Sequence, residues 1–402
     1  MKTPAGVNTG ETKLKAFLVT VRDEKVSAKE AASFAEELSG LAYTLGLDVV
    51  SQEMVHVREK NTRYGMGTGK ADELAKKASS LEADCIVFDR DFSPSQQRNW
   101  EELPSCKDAG ISVVDRQELI IQIFASRAQT REAELQVRLA ELEYSLPRLQ
   151  HRYIDLSRQR GGRYGTKGSG ETKLETDRRQ VEQKIHRLKK ELEKVKCQRQ
   201  VRRKLRERQR LPVCALAGYT NAGKSSIMNA LTNAGVLVED RLFATLDSTS
   251  RRLELSGGEL SGQRSSRQVL LVDTVGFIRR LPHSLIKAFR STLEEVSAAD
   301  IILIILDASS QDKDGGTLVS QYETTLSVLR ELGAETIPMI TVLNKIDKLK
   351  SKDDLEAVSA LFPGSVSVSA KEGTGLKELC KHIENRLPGI SPDGSPNKGF
   401  TG

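Results

Sequence analysis

Gly218-Tyr219-Thr220-Asn221-Ala222-Gly223-Lys224-Ser225 follows an apolar run, Val213 to Ala217, and precedes a helical pattern at Ile227, Met228, Ala230 and Leu231. Strand, glycine-bounded loop ending in Lys-Ser, then helix: this is the setting in which a loop of that spacing holds phosphate. Its glycines let backbone N–H groups turn inward toward a β-phosphate, and the first turn of the helix adds positive potential. Lys224 then reaches the β- and γ-phosphates, and the Ser225 hydroxyl ligates Mg2+. The bland alternative is a Gly-rich turn ahead of a helix, and the flanking strand and helix argue against it.

The loop alone specifies a nucleoside triphosphate; residues further along specify guanine. Gln268 to Asp273 reads as a buried strand ending in Asp273-Thr274-Val275-Gly276, which brings a carboxylate near the metal and a Gly N–H to the γ-phosphate. Met339 to Leu343 is another such strand, ending in Asn344-Lys345-Ile346-Asp347. Asp347 can accept hydrogen bonds from both N1–H and the N2 amino group of guanine. Adenine offers neither donor, and a site built for the pair rejects it strongly. Asn344 steadies the base from its other edge, the Lys345 stem lies along the ring, and Ser369-Ala370-Lys371 adds a base-side contact. Between the phosphate loop and Asp273 lies Leu242-Phe243-Ala244-Thr245-Leu246-Asp247, followed by Thr249. One threonine of such a segment closes over Mg2+ and the γ-phosphate, and by position both Thr245 and Thr249 qualify.

These motifs need a doubly wound sheet to present them at strand C-termini. Strands expected near Val213, Leu253, Val269, Ile301, Ile337 and Val366, alternating with helices, supply it over 211–388. A second α/β domain is expected over 15–128. Its strands lie at Ala16–Val21, Val49–Val57, Cys85–Phe88 and Ile111–Val114, and its helices at Ala28–Leu45, Lys70–Leu81 and Ser93–Leu103. That alternation implies a small, mostly parallel sheet. Asp115 to Ala128 is expected to run straight into a long helix. Gly65-Met66-Gly67-Thr68-Gly69-Lys70 invites comparison with a nucleotide loop, but its glycine spacing differs and Ala71 stands where a metal-ligating hydroxyl belongs. A turn capping the next helix is the better reading.

Between the two domains, 129–210 carries heptad seams. Leu135, Leu139, Leu142, Leu146, Leu149, Tyr153 and Leu156 form one; Leu174, Val181, Ile185, Leu188, Leu192 and Val195 form the other. Pro147 predicts a kink or break near Ser145. An antiparallel helical hairpin is expected, with a dimeric coiled coil as the alternative. From His151 to Arg210 there are 21 Lys and Arg against 8 Asp and Glu, a local excess of +13, so the rest of the chain carries −6 of the net +7. One intensely basic segment on an otherwise acidic protein implies a polyanion partner. The joining loop Gly161 to Gly170 has five glycines among its ten residues, with Arg163, Tyr164 and Lys167 set among them. Arg and Lys neutralise phosphates and Tyr stacks on an unpaired base, so RNA contact is expected here and at Arg202, Arg203 and Lys204.

The 402 residues, 38% hydrophobic and 29% charged, have no apolar run near the ~20 residues that span a bilayer. No apolar signal segment opens the chain, and a cytoplasmic location is the default. Five scattered cysteines without a C-x-x-C pair argue against a disulfide framework or zinc site. Residues 1–14 and 389–402 are expected to be disordered tails.

Taken together, the chain resembles the HflX family of GTPases, in the Obg–HflX group. The resemblance rests on Gly218 to Ser225, Leu242 to Asp247, Asp273-Thr-Val-Gly-Phe277 followed by Leu281-Pro-His, and Asn344 to Asp347. Outside that domain it extends to Ser93-Pro-Ser-Gln-Gln-Arg-Asn99, Asp115-Arg116, Ile123 to Ala128, Leu146-Pro-Arg-Leu149 and the glycine loop before Glu171. It implies a monomeric GTPase that binds the 50S ribosomal subunit and its rRNA and splits stalled or idle 70S ribosomes, the hairpin tip entering near the peptidyl-transferase RNA. By the same resemblance Thr245 is the Mg2+ threonine, and Asn221 matches a position that helps hold K+. Two departures stand out. Ser169 replaces a favoured Pro in the glycine loop, and the chain stops soon after the GTPase domain, where some members carry another domain. A precursor-subunit assembly factor and a protein-binding switch are the alternatives. Asp347→Asn is expected to shift nucleotide preference from guanine to xanthine, read by competition binding; unchanged guanine selectivity removes Asp347 from the base site.

Overall fold

The computed structural model describes residues 13–24, 26–58, 61–159, 169–208, 211–232, 242–243, 249–256, 266–279, 295–310 and 316–387. Of the expected tails, 1–12 of the first and the whole of 389–402 lie outside them, as do Arg163, Tyr164, Lys167 and the stretch Ala244 to Asp247. The chain divides into two compact units, 1–195 and 196–402.

The first unit is built on β1 (Lys15–Asp23), β2 (Asp48–Val57), β3 (Cys85–Phe88) and β4 (Ser112–Val114), in the order β2-β1-β3-β4. All pairings are parallel. Ala16 to Val19 are fully buried, the continuous apolar strand expected where helices cover both faces. Helix α1 (Ala28–Leu45) starts at a capping box between Ser27 and Glu30 and stops at Gly46, which takes the left-handed conformation at φ 84°. Helix α2 (Thr68–Ser80) has Gly67 as its N-cap, and Lys70 pairs with Glu53 and Glu73. The Gly65–Lys70 stretch is thus a capping turn, with Met66 in the core beside Trp100.

The helix expected over Ser93–Leu103 is α3 (Pro94–Glu101), and a further short helix that the sequence did not suggest, α4 (Pro104–Ala109), begins just beyond it. Pro104 drives Leu103 into extended backbone, at ψ 134°, and so forbids continuation. A second interruption was equally unforeseen: α5 (Arg116–Arg127) ends at Ala128, also extended, and α6 (Arg131–Gln159) starts afresh. The Thr130 hydroxyl accepts the Ala133 amide there and begins the new helix.

Of the kink or break expected at Pro147, the break does not occur: α6 continues through it. Side chains attend the carbonyls on either side of the one it frees: Ser145 Oγ donates to Leu142 O and Arg148 Nη1 to Tyr144 O. Helix α7 (Ser169–Arg208) takes in Ser169 and Gly170, which the sequence reading placed in the loop. It also carries Arg202, Arg203 and Lys204. Leu135 and Leu139 pack with Ile185 and Leu192, and Leu142, Leu146, Val181, Leu188 and Val195 line the same seam. Arg131 pairs with Glu191 and Lys189 with Glu143, so the early part of α6 meets the later part of α7. The seam closes within one chain as an antiparallel hairpin.

Of the family-like residues outside the second unit, those at Ser93–Asn99, Asp115–Arg116 and Leu146–Leu149 meet at one junction. Arg148 forms an ion pair of 2.9 Å with Asp115, which is 0% exposed. It also donates to Gln97 Oε1 and Phe92 O and lies over the Tyr144 ring. Asp115 caps α5 through the Glu118 amide, and Arg116 pairs with Glu37 of α1.

The second unit orders its strands β10-β9-β8-β5-β7-β6. These are β5 (Val213–Gly218), β6 (Thr249–Ser256), β7 (Ser266–Asp273), β8 (Ile301–Asp307), β9 (Met339–Asn344) and β10 (Val366–Ser367). All pairs are parallel except β6 with β7. Alternate residues of β5 enter separate cores. Cys214 and Leu216 pack with α8 (Lys224–Thr232) and α11 (Leu376–Arg386); Ala215 and Ala217 pack with α9 (Gly316–Glu331) and α10 (Lys352–Leu361). Helices therefore cover both faces, and loops at the strand C-termini are free to build a site.

Removing Arg148 strands a buried carboxylate, a change that costs about 3–5 kcal/mol. Arg148→Ala should lower the urea midpoint of the first unit accordingly, followed by the fluorescence of Trp100, the one tryptophan of the chain. A midpoint unmoved by the substitution would show that the junction contributes no net stability.

Candidate functional site

The phosphate loop is fixed by close backbone approach. At Gly218, φ 149°, a Cβ would strike the Ile305 carbonyl; at Gly223, φ 92°, it would strike the Asn344 amide. Both positions admit only glycine. Thr220 N donates to Phe277 O at 2.8 Å and Phe277 N to Gly218 O at 3.1 Å, so residues 218–220 are joined to the chain just beyond Gly276. A Cβ at Gly276 would lie 2.8 Å from Thr220 Cα and 2.9 Å from Lys224 Nζ, so its α-carbon packs directly against the loop.

Lys224 opens α8 and is 6% exposed. Its ammonium donates to Gly218 O at 3.2 Å and Tyr219 O at 3.0 Å. Burial pushes its amine down to about 8; nearby Asp273 opposes that shift and Lys345 adds to it. Ser225 Oγ donates to Asp273 Oδ2 at 2.5 Å. A hydroxyl and a carboxylate meeting at the end of β7 form a hard oxygen donor set. That set fits Mg2+, which keeps few protein ligands when it also binds phosphates. Thr249 is paired with Asp273 across β6 and β7, and its hydroxyl is buried without a hydrogen-bond partner among the described residues. Thr245, the other candidate, lies outside those residues; Phe243, at its edge, is 2% exposed with φ 55°.

The base-side motifs are brought to the same end of the sheet. Asn344, expected to steady a base, is 1% exposed and also bonds protein through its amide, whose nitrogen carries two hydrogens and whose oxygen has two lone pairs. Nδ2 donates to Ala222 O at 2.9 Å, and Oδ1 accepts the Ala370 amide at 3.2 Å. Lys345, in the left-handed region at φ 63°, donates to Asn221 O at 2.7 Å and pairs with Asp307 at 2.7 Å. Its amine is thereby pinned and its stem held across the loop. Asp347 Oδ1 accepts the Ser369 hydroxyl at 2.6 Å, which aims the carboxylate, while Lys371 is exposed. Ile346 N bonds Val368 O and so ties the two base-side loops together.

Two further residues, in the segment from Asp273 to Phe277, turn their side chains into the protein. Thr274 donates to Leu216 O at 2.7 Å. Phe277 is 1% exposed and sits in the core with Ala215 and Ala217. Asp307, which positions Lys345, was missed by the sequence reading. Its signal was an acidic residue ending the apolar run Ile301 to Leu306.

Three family models tile the chain: GTP-binding GTPase N-terminal over residues 32–125, GTP-binding GTPase middle region over 127–206, and 50S ribosome-binding GTPase over 213–345. The GTPase HflX of Akkermansia muciniphila is 44% identical over 377 residues, 91% of this chain and 82% of that one. That of Lacrimispora saccharolytica is 45% identical, over 89% of this chain and 80% of its own. The Escherichia coli protein of the same name is 38% identical, over 88% and 79%.

Because the Lys224 amine sits near 8 and phosphate oxygens favour its charged form, nucleotide binding should take up protons in mildly alkaline solution. The sign follows from linkage: affinity falls as pH rises above the free-state pKa, with about half a proton taken up at pH 8. Calorimetry in buffers of different ionisation enthalpy measures the uptake. An affinity flat from pH 7.5 to about 8.8 would mean that Lys224 is already fully charged in the free protein.

Proposed function

The chain belongs to the HflX family of GTPases and hydrolyses GTP; from this premise we propose that it binds the 50S ribosomal subunit and dissociates 70S ribosomes under nucleotide control. The observation that carries this reading is the basic hairpin. A two-helix seam, Leu135 to Leu146 against Val181 to Val195, leads into a segment with a local excess of +13. Arg163, Tyr164 and Lys167 at its tip, and Arg202, Arg203 and Lys204 further along, would contact phosphates and unpaired bases of rRNA. The GTPase model over 213–345 is described as 50S ribosome-binding, which supports the same partner.

In the reading offered, GTP or GDP lies along Gly218 to Ser225, its guanine against Asp347 and the Ser369–Lys371 loop. Lys224 would move from the carbonyls of Gly218 and Tyr219 to the β- and γ-phosphates. The Gly276 amide would meet the γ-phosphate. Ser225, Thr245 and Asp273 would hold Mg2+, which would supply charge neutralisation during phosphoryl transfer. Asn221 would make the K+ contact that the family resemblance implies. Phe277 has no hydrogen-bonding group and is buried, so this chain has no water-orienting side chain at that position. Hydrolysis should therefore be slow alone and rise strongly when a partner orders the site. Ordering by GTP of the segment around Thr245, against the Gly276 amide, would favour the ribosome-bound state, and hydrolysis would release it.

Sedimentation with purified 50S and 70S particles, over a salt series and with a non-hydrolysable GTP analogue or GDP, tests the proposal. Analogue-dependent pelleting with 50S, conversion of 70S to subunits, and affinity that falls steeply with salt are the expected results. Preference for precursor particles would instead mark an assembly factor. Absence of pelleting would leave a protein-binding switch.

A further inference from the structure

A phosphate loop holds phosphate with its backbone, so the side chain at its second position has no obligatory task. Here that residue is Tyr219, 7% exposed, and its hydroxyl accepts the backbone N–H of Arg279 at 2.8 Å. Arg279 is itself buried, at 8% exposed, and lies three residues beyond Gly276. We propose that Tyr219 is a positioning residue for the γ-phosphate contact, holding the Gly276 amide in place before nucleotide arrives. This rests on the reading of Gly218–Ser225 and Gly276 as phosphate contacts.

Gly276 is held from both sides. On its N-terminal side, the Thr274 hydroxyl fastens the chain to Leu216 O of β5. On its C-terminal side, Phe277 bonds the loop through both its N–H and its carbonyl, and its ring is locked in the core under β5. The Tyr219 hydroxyl adds the last stitch, at Arg279. Tyr219 itself is fixed at the loop: its carbonyl accepts Lys224, the same cation that lies beside Gly276. The hydroxyl thus links the loop that would grip the β-phosphate to the strand end that would read the γ-phosphate. An amide placed in advance costs no ordering entropy when the γ-phosphate meets it, which favours GTP over GDP.

Replacing the hydroxyl by hydrogen keeps the ring and its packing but leaves the buried Arg279 amide without this acceptor. Tyr219→Phe should weaken binding of a non-hydrolysable GTP analogue about tenfold while GDP affinity stays within about twofold, a selective loss the size of one buried hydrogen bond. Arg279→Pro deletes the same donor from the other side, and the double variant should be no worse than either single one. Equal weakening of both nucleotides, strictly additive losses, or no change in the GTP-to-GDP ratio would each overturn the proposal. Lys224→Ala separates the two layers. If it abolishes binding of both nucleotides while Tyr219→Phe does nothing, the phosphate loop stands and the positioning role falls. If it leaves binding intact, both fall.

Discussion

The side-chain amide of Asn344 is where the second unit is joined to itself. Nδ2 bonds the Ala222 carbonyl, 122 residues earlier, and Oδ1 accepts the Ala370 amide, 26 residues later. Three stretches from separate strands are thereby fixed around one planar group, almost wholly excluded from water. A buried amide that bonds at both ends is costly to disturb, because losing one partner leaves the other end unsatisfied. The missing side chain at Gly223 follows from the same contact, since a Cβ there would occupy the position of the Asn344 nitrogen. The geometry between the loop that would bind phosphate and the loops that would bind a base is therefore set within the protein.

Each unit surrounds a cation with oxygen, Lys224 buried and Arg148 half-buried. Lys224 has the carbonyls of Gly218 and Tyr219 as acceptors, with Asp273 close by. Arg148 has Asp115, the Phe92 and Tyr144 carbonyls and the Gln97 side chain. The two arrangements differ in purpose. Arg148 is spent on protein, tying α6 to the loop after β3 and the start of α5, whereas the partners of Lys224 are carbonyls that phosphate oxygens could replace. A lowered amine pKa accompanies that second arrangement, because weak neutral acceptors compensate burial less completely than a carboxylate does.

This division bears on the proposed function. A hairpin that carries much of the positive charge of the chain can act as a probe for RNA only if its base is stiff. Here the base is the leucine seam together with the Arg148 junction, and not the proline-containing turn of α6. The family-like residues at Ser93–Asn99, Asp115–Arg116 and Leu146–Leu149 find their physical use there: helix caps, a buried ion pair and a guanidinium laid over Tyr144. As single motifs they had no chemistry to suggest. Only in contact do they form one structure.

The sequence alone determined whatever depends on local order: the strand–loop–helix at Gly218–Ser225, the ends of β7 and β9 where Asp273 and Asn344–Asp347 fall, the seam spacing and the site of the positive charge. Periodicity and glycine spacing are properties of neighbours in the chain, and they survive without knowledge of the fold. The tertiary structure decided the rest, because the deciding contacts join residues far apart in sequence. Pro147 was expected to kink or break its helix; side chains of Ser145 and Arg148 serve the carbonyls beside the freed one, and the helix runs on unbroken. Asn344, read as a base contact, also ties Ala222 to Ala370 through its amide, and Phe277 and the Tyr219 hydroxyl gained their meaning from the strand packed beside them. Side-chain identity limits the bonds a residue can make; the neighbours delivered by the fold determine which of them it does make.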